Sequence, residues 1–138
     1  MRFSCSFKFI NNTMKKKILT ALSILLGLMF INSGLNKFLN YLPVPDGLPE
    51  EVVKDNNAIA EIVWLLPLIG SVEIIGGLLV MIPKTRAIGA LVILPVMAGI
   101  MLSHLLVFPA GLPVASIFLA ILAWIIFEKR NNYRALLN

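Results

Sequence analysis

Four stretches of the chain are apolar almost without interruption, over about residues 18–39, 59–82, 86–108 and 110–127. The apolar positions fill every side of a helical wheel instead of one stripe, so neither the period of a surface helix nor that of a half-buried strand is present. Runs of this length read as membrane-spanning helices. At about 1.5 Å per residue each can cross a hydrocarbon core of about 30 Å, the fourth only if it stands nearly upright. Little chain is left over, and no internal repeat or low-complexity tract interrupts it. The pattern therefore predicts an all-α integral membrane protein, a single four-helix bundle over residues 18–127, with tails at 1–17 and 128–138.

The breaks between runs are chemically distinct. "YLPVPDGLPEEVVKDNN" is the one substantial polar connection, and its three prolines and one glycine make the first half irregular. Its second half, "PEEVVKDN", predicts a short surface helix with Pro49 at its first position. "PKTR" predicts a tight turn between the second and third spans. Pro67 and Pro95 fall inside spans two and three and predict kinks there. Trp64 and Trp124 suit interfacial anchoring, and Met29, Met81, Met97 and Met101 suit packing.

Charge sets the orientation. The chain carries 12 Lys and Arg against 7 Asp and Glu. Ten of the basic residues fall on one side of the four spans: Arg2, Lys8, Lys15, Lys16, Lys17, Lys84, Arg86, Lys129, Arg130 and Arg134. The other side holds Lys37 and Lys54 beside Asp46, Glu50, Glu51 and Asp55. The positive-inside rule then places both termini in the cytoplasm. The same distribution speaks against nucleic acid, because the basic residues sit at segment ends and form no continuous face. "MKKKILTALSILLG" at Met14 reads as a membrane-protein start, with residues 1–13 as an upstream extension. A cleaved leader fits less well, because no small-residue cleavage pattern follows the apolar run.

Cofactor chemistry is constrained by what is scarce. The one cysteine, Cys5, allows neither an internal disulfide nor a CxxC pair, which argues against a thiol oxidoreductase. One histidine, His104, cannot supply both axial ligands of a bis-histidine haem, and no metal-ligand cluster is present.

The polar side chains within the spans carry what signal remains. They are Asn32, Ser33, Asn36 and Lys37 in span one, Glu61 and Glu73 in span two, and Ser103 and His104 in span three. Helical rise places Glu73 about 4 Å to the inner side of the bilayer centre and Asn32 about 5 Å to the outer side. Lys37, Glu61 and His104 fall about 10–14 Å outward, in a second polar layer. A charge near the midplane costs about 2.5–3.5 kcal/mol on insertion scales, so Glu73 should face other helices, hydrogen-bonded to a group such as Asn32 or protonated. Gly70, Glu73 and Gly77 share one helix face, where small residues admit a close neighbour. Glu73 is then either a proton-carrying or ligand-binding carboxyl or an interhelical hydrogen bond that fixes packing. Lys37 and Glu61 suit span-end charges that snorkel and pair at the interface. His104 suits a polar span end, or an outward pocket shared with Lys37 and Asn36.

Two segments together resemble a known family. "LGLMFINSGLNKF" at 26–38 resembles the first-span signature of the DoxX-like membrane proteins. "SVEIIGGLLVMIPKTRAIGALVI" at 71–93 is similar to that family's second segment, with its glutamate, glycines, tight turn and Thr-Arg. The chain departs from the pattern at Ser23, where a basic residue is common, and at Pro83, where glycine is common. The resemblance implies a small four-helix protein of bacterial or archaeal membranes. Some relatives are linked to quinone-dependent sulfur oxidation or to redox complexes that handle oxidative stress. It also implies that Asn36, Lys37, Glu73 and Arg86 occupy recurrent polar positions.

Three readings of function stay open. The first is a membrane subunit beside a redox partner protein, with a quinone pocket lined by Glu73, Asn32 and the kinked spans, and with Lys37 and His104 at its outer mouth. The second is a small proton-coupled transporter, working as a fixed-orientation homo-oligomer. The third is a scaffold with no catalytic role.

Overall fold

The computed structural model describes residues 2–136 and the side chains of residues 12–133. Every regular element among them is helical. In chain order they are α1 (Arg2–Leu39), α2 (Glu50–Glu61), α3 (Leu65–Met81), α4 (Arg86–Leu106), a single 3-10 turn at Pro109–Gly111, α5 (Leu112–Glu128) and α6 (Arg130–Leu136). Helices α1, α3, α4 and α5 pack in a closed cycle, each against the next and α5 back on α1. All four feed one core: Leu19, Leu26 and Phe30 from α1, Val80 from α3, Ile93 and Met97 from α4, Leu122 and Ile125 from α5.

The outward faces are as apolar as the core. Leu25 and Leu28 on α1, Leu78 on α3, Leu102 on α4 and Ile117 on α5 are all exposed. In the apolar stretches of α4 and of the turn with α5, only 22% of residues are buried. In water such a surface would be unstable, whereas in lipid it needs no cover. Three helical stretches, Asn12–Leu39, Arg86–Leu106 and Pro109–Glu128, are long and apolar enough to cross a membrane. α3 joins them as a fourth if it is counted with α2, from which it is bent by 94°.

That bend corrects the expected span at 59–82. The apolar run is continuous, but the helix breaks at Ile62–Trp64 and restarts at Leu65. Pro67 supplies the reason. It has no N–H to give the Val63 carbonyl, and its ring would clash with that carbonyl in an unbroken helix. The chain turns just upstream, where Leu65 N–H donates to Ile62 O at 2.9 Å and Leu68 N–H to Trp64 O at 3.1 Å. Pro67 therefore lies in the first turn of α3, where a missing donor costs nothing, and does not kink its middle. Pro95 does lie inside α4.

Other ends follow the local rules. α1 stops at Asn40, whose positive φ of 46° is a conformation asparagine tolerates, and whose N–H returns to Asn36 O at 2.8 Å. α3 ends at Ile82, extended as a residue before proline must be. Pro49 caps α2 from outside the helix, one position earlier than expected, and α2 runs on to Glu61. α1 extends through the basic tail to Arg2, where the sequence predicted a span beginning near residue 18.

Candidate functional site

The most extensive helix contact among the described residues is the antiparallel seam between α1 and α3, and it is close-packed. A methyl group on Gly34 would lie 2.6 Å from Gly70 O, and one on Gly77 would lie 2.7 Å from Gly27 O. Both contacts are backbone, so neither can yield. The two Gly–Gly crossings lie seven residues apart on each helix, which locks the register: 34 faces 70, and 27 faces 77. Small residues at this spacing are what let two backbones touch.

Glu73 sits between the two crossings and is only 2% exposed. Its Oε2 accepts from Lys37 Nζ at 2.7 Å, and the same ammonium donates to Ser33 Oγ at 3.0 Å. This is the one ion pair found among the described residues, and its lysine side chain retains 22% exposure. The carboxylate is thus sealed in the seam, while the ammonium reaches the seam's edge. Two of the three ammonium protons are used.

Two expectations are corrected here. Glu73 is bonded to Lys37 and not to Asn32, and Lys37 is bonded to Glu73 and not to Glu61. The backbone register puts Lys37 and Glu73 about six residues, or roughly 9 Å, apart in height. Side chains on a helix tilt towards its N-terminus. On antiparallel helices that tilt brings Lys37 and Glu73 towards each other, closing the gap.

The remaining candidates serve helix ends. Asn32 is exposed and accepts from the Tyr41 hydroxyl, through both its side-chain oxygen and its backbone carbonyl. Asn36 Oδ1 accepts from Leu42 N–H at 2.8 Å, tying down the chain where it leaves α1. His104 Nδ1 donates to Phe108 O at 3.1 Å, and its ring lies against Gly111, where any side chain would collide with it. Glu61 is exposed at the end of α2 and lines a shallow surface groove with Lys54. Asn32, Asn36 and His104 are therefore not joined to the Lys37–Glu73 pair by any hydrogen bond.

Arg86 is buried at the opposite end of the seam. Its Nε donates to Val80 O at 3.1 Å and its Nη2 lies 3.5 Å from Met81 O, the orphan carbonyls at the end of α3. Thr85 Oγ donates to Leu79 O at 2.9 Å. A cation there complements the negative end of the α3 dipole, so Arg86 and Thr85 together close the helix.

With this geometry, the family comparison has definite residues to explain. The family model named DoxX matches residues 18–108, about two-thirds of the chain. The chain belongs to the DoxX family. No curated protein and no solved structure matches it. The DoxX match covers α1 from residue 18, α2, α3, the Arg86 turn and α4, and ends before α5. At Ser23, where the DoxX pattern often has a basic residue, the side chain is fully buried and its hydroxyl donates to Leu19 O at 2.6 Å.

Sequence reasoning did not foresee three features of this DoxX chain. Ser33, one turn before Lys37, was visible as an i, i+4 partner but gave no sign of being used. Thr20 accepts from Arg86 Nη1 at 3.4 Å. The Tyr133 hydroxyl donates to Ala87 O at 2.9 Å, folding α6 back on α4, and burial raises this phenol above the usual tyrosine range.

Proposed function

We propose that this DoxX-family chain is an inner-membrane subunit that works beside a redox partner, with the Lys37–Glu73 pair as its ligand site. In this reading the chain crosses the bilayer four times and keeps both termini in the cytoplasm. The observation that carries it is a charged pair held inside an apolar seam, where an ionisable group is by default a functional one. The third proton of the Lys37 ammonium, at the seam's edge, suits the carbonyl oxygen of a quinone-sized ligand. Glu73 holds the ammonium in place, and Ser33 fixes its direction. A bound quinone would supply the two-electron chemistry, and the partner would supply or accept the electrons. His104, locked in the α4–α5 turn, has no part in this reading, and Asn32 and Asn36 hold the chain around it.

The glycine crossings favour a second reading, in which the pair is a latch that fixes the α1–α3 register and binds nothing. One measurement separates the two: the quinone content of the full chain purified in mild detergent, for the wild type, Lys37→Met and Glu73→Gln. Near-stoichiometric quinone in the wild type, lost in a folded Lys37→Met variant, is the expected result. Wild-type protein free of quinone would remove the ligand reading and leave the latch.

A further inference from the structure

We propose that the basic end of α1 carries a binding site for the headgroup of an anionic phospholipid, formed by Lys16, Lys17 and Thr20 above the apolar pair Ala21 and Ile24. These residues, with Thr13, line an open groove of about 420 Å³. The lining changes character along the helix, from ammonium and hydroxyl groups to hydrocarbon, in the order of a phospholipid from phosphate to acyl chain. Ile24 and, a turn further on, Leu28 are exposed and continue the apolar track.

The donors at the polar end are available. Among the described residues, neither Lys16 nor Lys17 has a hydrogen-bond or ion-pair partner, and no carboxylate lines the groove. The Thr20 hydroxyl accepts from Arg86, which is itself held by the last carbonyls of α3, and among the described residues no group accepts the hydroxyl's own proton. Two cations and one oriented hydroxyl, with no negative group among them, call for an acceptor-rich anion. The groove along α2 makes the contrast, since Glu50 and Glu61 line it beside Lys54. The lipid is favoured over a free anion because the groove opens onto hydrocarbon-facing residues below its donors. Each lysine near a lipid surface contributes roughly fivefold to the affinity for an anionic lipid.

The test is native mass spectrometry of the full chain in detergent, titrated with phosphatidylglycerol or with phosphatidylcholine of the same acyl chains. The expected result is a preference for phosphatidylglycerol on the order of tenfold, abolished in Lys16→Gln/Lys17→Gln and reduced about two- to threefold in Thr20→Val, which keeps every charge. The double variant Lys84→Gln/Lys129→Gln removes the same charge outside the groove and should keep the preference. Equal loss in both double variants would reduce the effect to overall charge and overturn the site. So would a wild type without preference, or displacement of the lipid by millimolar inorganic phosphate. Melting curves of each variant confirm that the protein compared is folded.

Discussion

Replacing one member of the Lys37–Glu73 pair leaves the other charge inside the seam, and the two are not equally able to escape. The Lys37 side chain has a long stem and 22% exposure, while Glu73 is short and 2% exposed. After Glu73→Leu, the ammonium can swing to the edge of the helix pair. After Lys37→Met, the carboxylate has no comparable exit. Lys37→Met should therefore cost about 3 kcal/mol and Glu73→Leu clearly less. The double variant should be more stable than Lys37→Met alone, because an apolar pair of similar volume fills the same space without a stranded charge. Thermal unfolding in one detergent, read as a double-mutant cycle, checks this, and strict additivity would mean the two side chains do not interact. Both residues stood out in the sequence as polar positions in apolar runs. Their contact did not, because depth counted along the backbone ignores side-chain length and the tilt of each side chain towards its helix's N-terminus.

Among the elements, the α1–α3 seam shows which glycines matter for packing. A Cβ at Gly34 meets Gly70 O at 2.6 Å, whereas a Cβ at Gly99 on α4 meets nothing within 4 Å. Gly34→Ala must push two backbones apart, so it should destabilise by about 2 kcal/mol or more and weaken the ion pair beside it. Gly99→Ala should be neutral or stabilising by up to about 1 kcal/mol, since it only removes helix-disfavouring freedom. Melting temperatures of the two variants should move in opposite directions, or Gly99→Ala not at all. A Gly34→Ala protein as stable as the wild type would mean that the close crossing is absent. The glycine face at Gly70 and Gly77 was legible from its spacing. Its partner face on α1 was not, because an apolar run presents similar residues on every side and only the folded register selects Gly27 and Gly34. The break before α3 was obscured in the same way: apolar residues continue through Ile62–Trp64, and the proline that forces the turn lies after it.

For the whole molecule, the helix cycle brings the N-terminal part of α1, the α3–α4 turn and the α5–α6 junction to one end, and the α1–α2 connection and the 3-10 turn to the other. The first end collects ten of the chain's Lys and Arg, counted along the sequence, and the second holds Lys37 and Lys54. With orientation set by such a bias, reporters fused after residue 138 should be active only if cytoplasmic, and a tag inserted at Gly47, in the connection between α1 and α2, should be reached only from outside. Gly47 suits insertion, because it is exposed, has φ of 79° and a side chain added there would meet nothing within 4 Å. Removing Lys15, Lys16 and Lys17 together should lower the fraction of correctly oriented chains. The seven basic residues that remain at that end should keep a majority. A Gly47 tag reached from the cytoplasm would invert the arrangement and carry the Lys37 edge of the seam to the cytoplasmic side. The charge bias is a property of composition and position, so it could be read before any helix was placed. The cycle of helices that gathers those charges at one end is set by packing, and it appears only in the fold.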